Sequence, residues 1–121
     1  MKEIDIFIRK EDLGQVTTLL QKHGIGGLSF YEVNGTGRTR KEPIPEMVRS
    51  YMTGRMITPE HVKRAKVEVV VADSKAKEII DDIINNLNPG KEAHGMIFVR
   101  DLAEAYEIGT KASGETVLSP K

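Results

Sequence analysis

The chain has 121 residues, 39% hydrophobic and 30% charged, with no cysteine and no tryptophan. That length supplies one two-layer core but not two, and the lack of cysteine excludes disulfides and thiolate catalysis. No N-terminal signal and no apolar run long enough for a bilayer appears, so the expected location is cytoplasmic. The formal net charge is zero, but residues 36–66 hold eight Lys/Arg against three Asp/Glu, a segment of charge +5 on a body of −5.

In chain order, Ile4-Asp5-Ile6-Phe7-Ile8 alternates at the strand period. Leu13, Val16, Leu19 and Leu20 then recur at helical spacing, with Asp12 as N-cap and Gly24 just past the helix end. Leu28 to Val33 reads as a second strand, closed by Asn34-Gly35-Thr36-Gly37-Arg38. Residues 39–65 read as a loop, interrupted by Pro43, Pro45, Gly54 and Pro59; a loop that long in a compact domain is expected to be functional. The third strand is expected over Val67 to Val71. Asp73 then caps a helix whose Ala76, Ile79, Ile80, Ile83, Ile84 and Leu87 form one apolar stripe, stopped by Asn88-Pro89-Gly90. Met96 to Val99 is the fourth strand.

Two successive β-α-β units predict an α+β fold: a ferredoxin-like βαββαβ sandwich, four strands in one sheet with two helices on one face. Strands one and four are expected as the central pair. If Ile4, Ile6 and Ile8 face the helices, then Asp5, Phe7 and Arg9 face away, joined by Tyr31, Val33 and Val70. That second face is too apolar for water, with Asp5, Arg9 and Glu68 expected to pair near its rim. A second copy of the chain is the economical cover, so a homo-oligomer is expected.

The turn Gly35-Thr36-Gly37-Arg38 suits an anion, because glycines let backbone N–H groups approach it and Arg38 adds a fork of donors. The segment Pro89 to Gly95 contributes Gly90, Lys91, His94 and Gly95 between the second helix and the fourth strand. His94 is the best histidine for a ligand contact, whereas His23 is expected to complement the carbonyls at the end of the first helix. Asp81 and Asp82 read as a solvated helix face. No histidine pair has metal-ligand spacing on one element, and no Ser/His/Asp arrangement is legible.

The opening Met1-Lys2-Glu3-Ile4-Asp5, the turn Glu32-Val33-Asn34-Gly35-Thr36-Gly37-Arg38, Lys66-Val67-Glu68-Val69-Val70-Val71 and Gly95-Met96-Ile97-Phe98-Val99 together resemble the PII signal-transduction family. The resemblance covers nearly the whole chain and places the domain at residues 1–112, with 113–121 as a C-terminal tail. It implies a homotrimeric, non-enzymatic regulator of nitrogen metabolism that binds adenine nucleotides and other small anions between subunits. Residues 39–65 then correspond to the mobile T-loop that docks into a membrane transporter or metabolic enzyme, with Arg49, Tyr51 and Arg55 as contact residues. Residues 89–95 correspond to the B-loop. Tyr51 falls where many members carry a modified tyrosine. The effector-binding residues implied are Gly35, Thr36, Gly37, Arg38, Thr39, Arg64, Val70, Lys91, His94 and Gly95.

The departures from the family pattern gather on the nucleotide phosphates. Thr39 stands where a glutamine usually helps to hold Mg²⁺ and 2-oxoglutarate, and Met96 where a phosphate-binding lysine is usual. Glu107 and Gly109 correspond to two arginines of the C-terminal strand. The resemblance therefore implies a divergent member whose effector is less charged than MgATP or is held differently, with ADP, AMP or cyclic AMP favoured over MgATP and no cofactor fixed, and with recruitment to the membrane by a transporter partner. Two alternatives share the fold: a nucleic-acid binder using the basic loop, and a metal-responsive oligomer. With only three Phe and three Tyr, the sheet lacks base-stacking strands, so no nucleic acid is expected.

Overall fold

The computed structural model describes residues 1–35, 48–49, 56–57, 62–87 and 95–120. Strand β1, Lys2–Arg9, leads through a short 3-10 turn into helix α1, Leu13–Lys22, and then strand β2, Ser29–Gly35. Two-residue strands β3, Val48–Arg49, and β4, Met56–Ile57, pair with each other in a two-stranded sheet. Strand β5, Val62–Val71, is followed by helix α2, Asp73–Asn86, and strand β6, Met96–Asp101. A second 3-10 turn spans Glu115–Leu118.

The four long strands form one antiparallel sheet in the order β2-β5-β1-β6. The centre is therefore β1 with β5, not the first and last strands as expected. The physical reason lies in the crossover: β1-α1-β2 leaves a gap beside β1, and the next long strand fills it antiparallel to both neighbours. β6 then pairs with the other side of β1 and becomes an edge.

One face of the sheet carries the core. Ile4, Ile6, Ile8, Val67 and Val69 pack against Val16 and Leu20 of α1 and Ala76, Ile79 and Ile83 of α2. Each fully buried aliphatic contributes about 1.5–3 kcal/mol relative to exposure, so this seam is what the period-2 and period-3.6 patterns encode. The expected stripe on α2 is narrower than its sequence, because Ile84 is 61% exposed. Asp12 makes no N-cap hydrogen bond; its carboxylate takes the Arg9 guanidinium at 3.1 Å instead. α2 starts at Asp73 itself, with Ala72 in the capping position. Gly24 does close α1, at φ +69, the left-handed conformation that glycine adopts without penalty.

Strand β5 opens at Val62, five residues before the expected Val67, so Lys63, Arg64 and Ala65 belong to the sheet rather than to the loop assigned to 39–65. The C-terminal residues also contact the body. Glu107 and Ala112 close a hairpin in which Tyr106 bridges Ser113, and the Gly26 N–H donates to the Leu118 carbonyl at 2.8 Å.

Candidate functional site

The face of the sheet turned from the helices is the candidate site. Strand alternation puts Glu3, Asp5, Phe7 and Arg9 of β1 there, beside Arg64, Lys66, Glu68 and Val70 of β5. Tyr31 and Val33 join from β2, and Met96, Phe98 and Arg100 from β6. Phe98 is 53% and Tyr31 45% exposed. Phe7 meets Phe98 edge to face at 5.8 Å between ring centroids. Lys66 lies 5.4 Å from the Phe7 ring and 5.5 Å from the Tyr31 ring, a cation between two aromatic faces.

The charges on this face are paired, but not as expected. Asp5 is 3% exposed, in the middle of the sheet rather than at its rim, and accepts a 2.8 Å hydrogen bond from Arg100 Nη2. Arg100 Nε reaches Glu3 at 2.8 Å, so one guanidinium ties β6 to two carboxylates of β1. The other Asp5 oxygen, Oδ1, has no hydrogen-bond partner among the described residues. Arg9 turns away towards Asp12 and Glu11. Glu68 accepts from the Tyr31 hydroxyl at 2.8 Å and from Lys66 at 3.0 Å. Lys66 and the Tyr31 hydroxyl hold the Glu68 carboxyl below its ordinary range, while Tyr31 and then Glu68 push the Lys66 ammonium up.

Of the effector residues taken from sequence, Gly35, Arg64, Val70 and Gly95 lie within the described residues. Gly35 ends β2 opposite Val62, and Arg64 sits between Val33 and Arg9. Gly95 precedes β6, where a Cβ would lie 2.5 Å from the Phe7 carbonyl oxygen. Gly35 and Gly95 flank opposite edges of the sheet, three strand spacings or about 14 Å apart across its width. Val70 lies eight positions along β5 from Val62, about 26 Å of strand, so one subunit does not gather these residues. Thr36, Gly37, Arg38, Thr39, Tyr51, Arg55, Lys91 and His94 lie outside the described residues, and Arg49 is placed only as backbone in β3.

Val70 instead lines a cavity of about 410 Å³ at the other end of the sheet. Its walls come from Glu3, the Gly26-Gly27-Leu28-Ser29 segment, Glu68, and the C-terminal Val117 and Leu118. Motif reading named neither Ser29 nor Leu118 of this cavity's lining, and it did not place Lys66, Phe98 and Arg100 on the open face. The parity argument applied to β6 would have found the last two, since Met96, Phe98 and Arg100 alternate; nothing in the local sequence announces Leu118.

The family model for nitrogen regulatory protein P-II matches residues 1–112. The chain belongs to the P-II family. Among curated relatives, a nitrogen regulatory protein P-II of Rhizobium meliloti is 32% identical over 114 residues, 94% of this chain and 96% of that protein. Nitrogen regulatory protein P-II 1 of Escherichia coli is 33% identical over 110 residues, 91% of this chain and 93% of that protein. The P-II protein of Porphyra purpurea is 30% identical over the same length and shares. The α+β architecture agrees with P-II membership, and among the described residues no helix is long and apolar enough to cross a membrane.

Away from the sheet, two residues behave otherwise than expected. The His23 ring does not cap α1; its Nε2 lies 2.6 Å from Asp82 Oδ2 of α2. Asp82 is accordingly no solvated residue: its side chain is 13% exposed and also accepts from Asn86 Nδ2 at 2.6 Å. Among the described residues, no group of three or more His, Asp or Glu could hold a metal ion.

Proposed function

We propose that this P-II protein is a homotrimeric regulator that binds a small anionic effector between subunits and signals through residues 39–65 to a transporter or metabolic enzyme. The observation that carries the reading is the open sheet face: Phe7, Tyr31, Phe98 and Val70 lie on the side of the sheet opposite α1 and α2. Burying it against further copies would join the edge at Gly95 of one subunit to the edge at Gly35 of another, which a single subunit holds apart. Binding would favour one geometry of the segment 39–65, and the partner would read that geometry. The reading is of a regulator rather than an enzyme, with no nucleic-acid partner, and of a cytoplasmic protein that its partner recruits to the membrane.

The effector we infer is ADP, AMP or cyclic AMP. Thr39, Met96, Glu107 and Gly109 replace groups that, in the family pattern, neutralise a triphosphate and its Mg²⁺. Glu107 is half-buried and Gly109 is exposed at the hairpin turn, where a Cβ would meet nothing within 4 Å. Calorimetric titration with ATP, ADP, AMP, cyclic AMP, 2-oxoglutarate and bicarbonate tests the reading. ATP should bind more weakly than the smaller nucleotides, and Mg²⁺ with 2-oxoglutarate should not rescue it. Glu107→Arg should move affinity back towards ATP, and Arg38→Ala should weaken the bound effector by about 1.5–3 kcal/mol. Tight, Mg²⁺-dependent ATP binding by the unaltered protein overturns this choice of effector.

A further inference from the structure

Leu118 stands between two hollows. On one side is the cavity of about 410 Å³ that holds Ser29, Glu68 and Val70. On the other is a pocket of about 50 Å³ walled by Ile25, Val71 and Lys75. The segment that carries Leu118 turns at Gly114, at φ +85, where the Gly114 N–H is held by the Ala105 carbonyl at 2.9 Å. Its far end is fastened to the body by the Gly26 N–H, which donates to the Leu118 carbonyl at 2.8 Å. Val117 and Leu118 are only half-buried, and the rest of the segment is exposed save half-buried Gly114. A short stretch held at its two ends, with little apolar burial between them, has the features of a locally opening unit.

Gly26 is the decisive contact. A Cβ there would lie 2.6 Å from the Leu118 carbonyl oxygen, yet Gly26 is not in the left-handed region. The position is closed to a side chain by the docked C-terminal segment, not by its own backbone conformation.

We propose that residues 114–119 form a hinged strap that is one wall of the large cavity, and that a ligand in the cavity clamps the strap shut. The proposal rests on the effector reading above, with this cavity, which holds Val70, as a part of the effector cleft that lies away from the Gly35 and Gly95 edges of the same chain. A ligand packed against Val117 and Leu118 touches them only when the strap is docked. By linkage it stabilises docking by the same factor that docking adds to its affinity.

Hydrogen exchange on the full chain, with ADP as the probe, tests this in the wild-type protein, Gly26→Ala and Leu118→Ala. In Gly26→Ala the amides of residue 26 and Val117 should exchange faster while those of β1 and β5 keep their rates. Added ADP should slow Val117 exchange in the wild type. Both variants should bind ADP about tenfold more weakly, in the lower part of the usual range for coupled sites. Leu118→Ala keeps the backbone contact and removes the wall alone, so it decides the matter even if Gly26→Ala folds poorly. Unchanged Val117 exchange in a folded Gly26→Ala protein, or equal ADP affinity in the wild type and Leu118→Ala, overturns the strap and leaves the effector reading standing. A wild-type protein that binds no nucleotide overturns the effector reading, and the clamp with it.

Discussion

Gly95 and Asp5 show how single positions hold the candidate site. Gly95 passes so close to β1 that a methyl group would meet the Phe7 carbonyl oxygen at 2.5 Å, and a backbone atom cannot move aside as a flexible side chain can. Gly95→Ala should therefore destabilise the fold by about 1–3 kcal/mol, the scale of an overpacked contact, read as a lower urea midpoint. Asp5 is buried on the open face with Arg100 as its cation. Arg100→Ala should lower the urea midpoint, because it strands a desolvated carboxylate, and adding Asp5→Asn should recover part of that loss. Equal unfolding midpoints for the wild type and Arg100→Ala would show that Asp5 is satisfied without Arg100.

The two helices are joined by more than their apolar seam. His23 at the end of α1 meets Asp82 of α2, with Lys22 at 3.8 Å from the same carboxylate and Glu78 at 3.9 Å from the other ring nitrogen. Gln15 adds a 2.8 Å hydrogen bond to the Asn86 carbonyl. The His23 hydrogen bond, followed by the Lys22 charge, holds the Asp82 carboxyl below its ordinary value of 3.8. A carboxyl depressed on folding stabilises the native state above its unfolded pKa, and that contribution disappears as pH falls through the folded value. Asp82→Asn should thus lower the urea midpoint at about pH 6, and the gap to the wild type should close below about pH 4. A gap that stays constant across that window would assign Asp82 a role independent of its charge.

At the scale of the whole molecule, the proposed trimer rests on the open sheet face. Phe98, exposed at the β6 edge and stacked edge to face on Phe7, stands where a second copy would bury it. Light scattering should give a trimer for the wild type at micromolar concentration. Phe98→Glu should dissociate it while far-UV circular dichroism stays native, because the side chain faces away from the helices and their core. A monomeric wild type would remove the basis for clefts between subunits.

Alternation in Ile4-Asp5-Ile6-Phe7-Ile8 and helical spacing in the two apolar stripes were enough to determine the two helices, most of the four long strands, the helix-covered face and much of the open one, but not the early start of β5 or the short pair β3 and β4. These are local patterns, and the burial they encode repeats every two or 3.6 residues. The motif resemblance reached the P-II family by the same local route. What the sequence could not determine was which strands become neighbours, since strand pairing joins residues far apart in the chain. The tertiary fold put β5 beside β1 and sent β6 to the edge, which brought Arg100 to Asp5 across 95 residues. It brought Tyr31 to Glu68, and His23 to an aspartate that looks solvated on its own helix. Leu118 is the clearest case: nothing about its neighbours in sequence marks it, and only the close approach of Gly26 makes it a wall of the cavity.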